Sequence, residues 1–204
     1  MPEPLPAATL PGRHVRLEPL CHGHAEGLAE AAAADRSTYG LTWVPAGLDA
    51  THDYIEALLT DWRAGRVLPF TQVAMATGRP VGCTRYLDMH WWRGRPEPDE
   101  VEIGGTWLAS SAQRTGINTE AKYLLLEHAF DVFGVWRVQI VTDARNARSR
   151  TAIERIGATF EGVLRNHRTV ADVDAPSPRQ TAVYSVIAEE WPAVRASLRE
   201  RLAR

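Results

Sequence analysis

The feature that most constrains this chain is a run of three contiguous segments between Glu100 and Phe133. "EVEIGGTWLA" alternates like a strand, "QRTGINTEAK" is a polar loop around a glycine, and "YLLLEHAFDVF" is an apolar helix. In the helix, Ala121, Leu124, Leu125, Ala129 and Val132 form one row. Tyr123, Leu126, Phe130 and Phe133 form a second. A helix apolar over so much of its circumference is stable only when buried, and a neighbouring strand makes a sheet its natural cover. The unit therefore predicts an α/β arrangement with a polar loop at the head of a buried helix.

The remaining segments extend this pattern. "HVRLEPL" reads as a first strand with Val15 and Leu17 on one face. "HAEGLAEAAAAD" and "DATHDYIEALLTDWRAG" read as helices. The second carries Tyr54, Ile55, Leu58, Leu59 and Trp62 at helical spacing, with Gly65 as its stop. "FTQVAMA" and "VGCTRYLDMHW" are extended about the turn "TGRP". In the latter, Val81, Cys83, Leu87, Met89 and Trp91 are expected to share a face. In "VEIGGTWLA" the expectation is Val101, Ile103 and Trp107 on one face, and Glu102, Thr106 and Leu108 on the other.

After the buried helix, with Gly134 as its stop, "VWRVQIVTD" is a strand. "NARSRTAIERIG" is a helix capped by Asn146 and ended by Gly157. "ATFEGVLRNHRTV" and "QTAVYSVIA" are hairpin arms around "ADVDAPSPR", and the C-terminal tail is a charged amphipathic helix. The Pro-rich start is expected to be flexible over residues 1–13, with one domain over 14–204 around a mixed sheet.

Composition excludes several functions. A net charge of -2 in 204 residues gives no electrostatic basis for binding nucleic acid or an anionic membrane. No apolar run is long enough for a membrane span, and the N-terminus lacks the basic start and apolar core of a signal peptide. Cys21 and Cys83 stand apart, outside any C-x-x-C pair, which fits reduced thiols and a cytoplasmic setting. The histidines of "HGH" at 22–24 lack further ligands at metal spacing, so no metal is expected.

The loop itself admits two readings. Unpaired amides and the dipole at a helix N-terminus bind anions such as phosphate. Gly116 would permit close approach or a positive φ, with Arg114, Thr115 and Thr119 assisting. The plainer reading is a helix start capped by Thr115 or Asn118, with Glu120 in the first turn. The loop is neither a Walker P-loop nor a Rossmann fingerprint.

Beyond these readings, the chain resembles the GNAT superfamily of N-acetyltransferases, in its RimJ/RimL-like branch, from "GRHVRLEPL" to "TAVYSVIAEEWP". Gln113, Gly116 and Asn118 stand at the positions of the superfamily's Gln/Arg-x-x-Gly-x-Gly/Ala pyrophosphate loop. "RNARSRTAIERIGATFEGVLR" is similar to the branch's Asn-x-x-Ser helix followed by Gly-Ala-x-x-Glu-Gly. The resemblance implies a mostly antiparallel sheet of about seven strands, splayed in the middle, with helices on both faces. Acetyl-CoA would lie in the splay, with its pantetheine arm along Trp107 and Leu108 and its pyrophosphate on the amides of Arg114, Thr115, Gly116, Ile117, Asn118 and Thr119. Asn146 would position CoA.

The implied reaction is acetyl transfer to a primary amine, on a protein N-terminus or a small molecule, by direct attack in a ternary complex. Glu102 is the candidate base, with Glu100 its alternative. Ser149 is the candidate proton donor to the thiolate, with Tyr184 its alternative. Trp43, Tyr86, His90, Trp91 and His167 are candidates for the acceptor pocket, against the plainer reading of core aromatics. Alternatives to acetyl transfer are transfer of another acyl group, such as succinyl, or a silent CoA-binding module. The hairpin and the tryptophans are compatible with a homodimer.

Overall fold

The structure is a computed structural model that describes residues 3–170 and 177–204. The centre of the expected hairpin turn, 171–176, lies outside the described residues. Eight strands form one sheet: β1 (Leu10–Pro11), β2 (Val15–Pro19), β3 (Leu68–Ala74), β4 (Arg79–His90), β5 (Glu100–Leu108), β6 (Arg137–Asp143), β7 (Thr159–Val170) and β8 (Ser177–Ile187). Their order is β1-β2-β3-β4-β5-β6-β8-β7, and only the β5–β6 pair is parallel. The two-residue β1 is the strand that sequence pattern did not signal.

Helices cover both faces. α1 (Ala25–Ala33) and α2 (Gly47–Arg63) bury Leu28, Ile55 and Leu59 against Cys83 and Trp107. α3 (Ile117–Glu127), α4 (Ala147–Ile156) and α5 (Trp191–Ala203) join the other cluster, which holds Leu17, Phe70, Ile103, Leu125, Leu126, Val138 and Leu198. Each such side chain contributes roughly 1.5–3 kcal/mol on burial. Every residue of β3 is buried, so this strand lies sandwiched between the layers. No helix among the described residues is long and apolar enough to cross a membrane.

The segment read as loose up to Arg13 has fixed anchors instead. Leu5 is buried, and its carbonyl accepts Trp62 Nε1 at 3.0 Å. The Glu120 carboxylate accepts the amides of Arg13, His14 and Val15 at 2.8, 2.5 and 2.8 Å. Glu120 therefore does more than sit in a first helical turn: it clasps the entry of the chain to the head of α3.

Two strict alternations fail, for one physical reason. Cys83 pairs with Trp107 and Arg85 with Gly104, so the single residue Thr84 opposes both Gly105 and Thr106. This is a β-bulge, which moves the residues after it to the other face. Val101 and Ile103 thus join the α3 side, Trp107 joins the α1–α2 side, and Leu108 returns to the α3 side. In β4, register shifts likewise place Val81 and Cys83 in different clusters.

Candidate active site: a cleft through the splayed sheet

The bulge also positions the site. Gly105 has φ +56°, a left-handed conformation that glycine adopts without the clash of a Cβ. The parallel pairing of β5 with β6 ends at Glu102–Gln139, just before the bulge. Beyond that point the strands diverge, and the β5 edge facing β6 has no strand partner among the described residues. A cleft of about 1130 Å³ fills the gap. Its lining includes Tyr39, Trp43 and Tyr54 from one face of the sheet and Thr119, Lys122 and Ile153 from the other, so it passes through the sheet. A free edge of this kind can accept an extended ligand as an added strand.

At one end of the cleft stands the head of α3. Thr115 Oγ1 donates to the Ala112 carbonyl at 2.7 Å and accepts the Ile117 amide at 3.2 Å, so the plain capping role is real for that one amide. The amides of Gly116, Asn118 and Thr119 have no partner among the described residues, and Asn118 and Thr119 line the cleft. The positive φ falls on Arg114, at +59°, whereas Gly116 is right-handed at −66°. At Gly116 a Cβ would stand 3.0 Å from the His14 ring, a tight approach that the ring would have to yield to. A strained non-glycine residue beside free helix-head amides suits an anion cradle.

Two further elements close this end. Gln113 Nε2 donates to the Leu108 carbonyl at 2.9 Å, and Gln113 Oε1 accepts Arg148 Nη1 at 3.1 Å. Arg148 also reaches the Thr38 carbonyl at 2.7 Å, tying α4 to the segment after α1. The Asn146 side chain accepts the Ser149 amide at 3.0 Å as an N-cap, and both residues line the cleft.

At the sheet junction Glu102 is 2% exposed. Arg168 grips both of its carboxylate oxygens, at 3.1 and 2.7 Å, while Gln139 Nε2 lies 3.4 Å away. Arg168 also reaches Asp88 at 3.3 Å, so the β7–β8 hairpin bridges to the β4–β5 half of the sheet. Lys122 enters the cleft from α3. Its Nζ donates to Thr106 Oγ1 at 2.6 Å, and that hydroxyl is 2.9 Å from Thr84 Oγ1. Burial lowers the Lys122 pKa to about 7, against the opposing pull of the Glu102 charge.

The structure brings Glu102, Ser149, Trp107, Leu108, Arg114, Thr115, Asn118, Thr119, Asn146 and Trp43 to one cleft. Gly116 and Ile117 belong to the same helix head without contributing to its lining. It does not bring the other expected pocket residues there. Tyr86 is fully buried on the α3 side, its hydroxyl donating to the Leu125 carbonyl at 2.5 Å, and burial holds its pKa well above the ordinary phenol value. His90 stacks on Trp92 outside the cleft, at 5.4 Å between centroids. Trp91 Nε1 donates to the Pro96 carbonyl at 3.0 Å and so pins its own loop. His167 lines a separate shallow depression on β7. Core packing accounts for Tyr86, ring stacking for His90 and a loop hydrogen bond for Trp91, whereas His167 is exposed on β7.

Tyr184 is engaged from α4 as well, by Arg150 Nε at 2.9 Å and Glu154 Oε1 at 2.9 Å. Cys83 is buried, which pushes its thiol up to about 12 and leaves it inert. Sequence reasoning missed Lys122, Tyr54, Arg85, Arg168 and Arg179. One signal was available: Lys122 is the only lysine among 23 lysine and arginine residues, and it sits inside an apolar helix.

A splayed sheet with an amide cradle on one side and a buried carboxylate at the junction is the architecture of an acyltransferase. The family model described as an acetyltransferase (GNAT) domain matches residues 14–159, and the chain belongs to this family. The family's acyl donor is acetyl-CoA. The chain is 28% identical over 187 residues to the Bacillus subtilis (strain 168) protein named "Putative ribosomal N-acetyltransferase YdaF", covering 87% of this chain and 93% of that protein. A GCN5-related N-acetyltransferase from Brucella melitensis is 30% identical with a TM-score of 0.81, covering 98% of this chain and 88% of that chain. Mycobacterium smegmatis RimJ, solved with CoA-disulfide, shares the fold at 24% identity and a TM-score of 0.79, covering 98% and 97% of the two chains.

Proposed function

We propose that this chain transfers an acetyl group from acetyl-CoA to a primary amine, by direct attack of the amine in a ternary complex. The observation that carries the reading is the early end of β5–β6 pairing, which opens a cleft between the α3 head and Glu102. The free amides of Gly116, Asn118 and Thr119, with Arg114, suit the CoA pyrophosphate. The open β5 edge at Trp107 and Leu108 suits the pantetheine arm, and Asn146 stands beside its path. RimJ, whose structure is a complex with CoA-disulfide, has the same fold.

Bound acetyl-CoA supplies an acetyl thioester. An ammonium is not nucleophilic, so a base must take its proton before the N–C bond forms and the C–S bond breaks. Glu102 is that base, directly or through a water. Because Arg168 holds both of its oxygens, the acceptor reaches it by displacing a guanidinium bond or through that water. Ser149, in the first turn of α4, donates to the leaving thiolate. Free thiols at Cys21 and Cys83 suit a cytoplasmic setting.

The test is a CoA-release screen across N-terminal peptides, polyamines, amino acids and aminoglycosides, with the product mass determined. Release that depends on an amine, with an acetyl-sized mass increase, is the expected result. A larger mass increase would identify another acyl group. CoA binding without turnover on any amine would make the chain a silent module.

A further inference from the structure

The acceptor end of the cleft carries more positive charge than the proposed reaction needs. Arg168 and Arg179 stand directly opposite each other across β7 and β8, and both line the cleft. Like charges in that relation destabilise a sheet. Arg168 is compensated, since its two terminal nitrogens are taken by Glu102 and Asp88. Arg179 is not. Its Nε donates to Thr181 Oγ1 at 3.0 Å, but its Nη2 is buried with no partner among the described residues. Burial first, and the Arg168 charge second, lower its pKa.

Arg85 adds a third guanidinium. It makes a long 3.4 Å contact to Tyr54 Oη and has no carboxylate partner among the described residues. Among the described residues, the only acids lining the cleft are Glu102, gripped by Arg168, and Asp143, paired with Arg145 at 2.9 Å.

A buried guanidinium edge without an acceptor is costly to keep unless a ligand completes it. The CoA phosphates are poor candidates. Their cradle adjoins the Leu108 end of β5, and six residue steps from Glu102 correspond to about 20 Å of strand. Two guanidiniums clamping a phosphate dianion are also excluded, because Arg168 is already engaged. One free guanidinium edge beside a buried carboxylate matches a carboxylate next to an amine.

We infer that the acceptor carries a carboxylate close to its reacting amine, held by Arg179 while the amine faces Glu102. This rests on the acetyltransferase reading above. Two sources share that chemistry: the α-carboxylate of a free amino acid, and the side chain of an acidic residue at position two of a peptide.

The test compares matched acid and amide acceptors: alanine with alaninamide, and Ala-Asp with Ala-Asn peptides carrying amidated C-termini. The expected result is a kcat/KM about tenfold or more higher for the acid of one pair, which also identifies the source. Arg179→Gln should erase that preference through KM while acetyl-CoA affinity, measured by calorimetry, stays unchanged. Equal rates for acid and amide in both pairs, or a preference that survives Arg179→Gln, would overturn the inference. A second arm needs no turnover: the N-acetylated acids and amides are titrated into the CoA-loaded protein. Tighter binding of an acid, lost in Arg179→Gln, supports the carboxylate site, and equal binding overturns it. Failure of every amine to release CoA would instead count against the acetyltransferase reading, with the titrations still deciding the site.

Discussion

Replacing Lys122 by methionine tests the interior of the cleft through stability alone. The ammonium is buried, and its pKa falls from the ordinary 10.5 to about 7. The unfolded chain keeps the ordinary value. Between pH 7 and 10.5 the unfolded state therefore binds more protons than the folded state, and stability rises with pH across that window. Below pH 7 the lysine is charged in both states and the full penalty applies, about 5 kcal/mol at 1.36 kcal/mol per pH unit. From pH 7 to 9.5 the recovery amounts to about 3 kcal/mol.

Methionine has similar length and no charge, and Thr106 keeps Thr84 as its hydroxyl partner. Urea unfolding of both proteins from pH 6 to 9.5 isolates the effect, because titrations not coupled to Lys122 cancel in the difference. The variant should be the more stable at pH 6, with its advantage shrinking by about 3 kcal/mol between pH 7 and 9.5. A difference that stays flat with pH would refute the reasoning and mean that Lys122 remains charged inside the cleft.

Three further outcomes follow from the same geometry. Glu102→Gln should lower kcat by about a hundredfold or more while acetyl-CoA binds as in the wild type, by stopped-flow and calorimetry; an unchanged kcat would remove Glu102 as base. Gly105→Ala forces a side chain into a left-handed position, with its Cβ against the Arg85 guanidinium. It should destabilise the fold by about 1–2 kcal/mol in urea titration, and a neutral result would show that the bulge is not fixed there. Glu120→Ala leaves three backbone amides without their acceptor. It should cost about 3 kcal/mol and speed hydrogen exchange at Arg13–Val15, whereas unchanged protection would mean that the clasp is not what holds the N-terminus.

The strand–loop–helix unit was legible because its periods differ sharply and the helix could only be buried. Asn146 as a cap and the stops at Gly134 and Gly157 were legible for the same local reason, since they depend on neighbours in sequence. The faces of β4 and β5 were not, because alternation carries no mark of a bulge except the Gly104–Gly105 pair, and that pair went unused. Tyr86, His90, Trp91 and His167 show the limit for aromatics. The burial of Tyr86 depends on the distant α3, and neither the local contacts that hold His90 and Trp91 away from the cleft nor the exposure of His167 is marked in the strand pattern. Arg168 and Arg179 lie far in sequence from Glu102, so only the folded hairpin brings them to it.

The most direct measurement is a titration of CoA into the isotopically labelled protein, followed by backbone amide resonances. The largest shifts should fall on Gly116, Asn118 and Thr119, with a second set at Gly104–Leu108 along the open edge of β5. Binding that leaves the α3 head amides unmoved, or no binding at millimolar CoA, would contradict the cleft as the acyl-donor site.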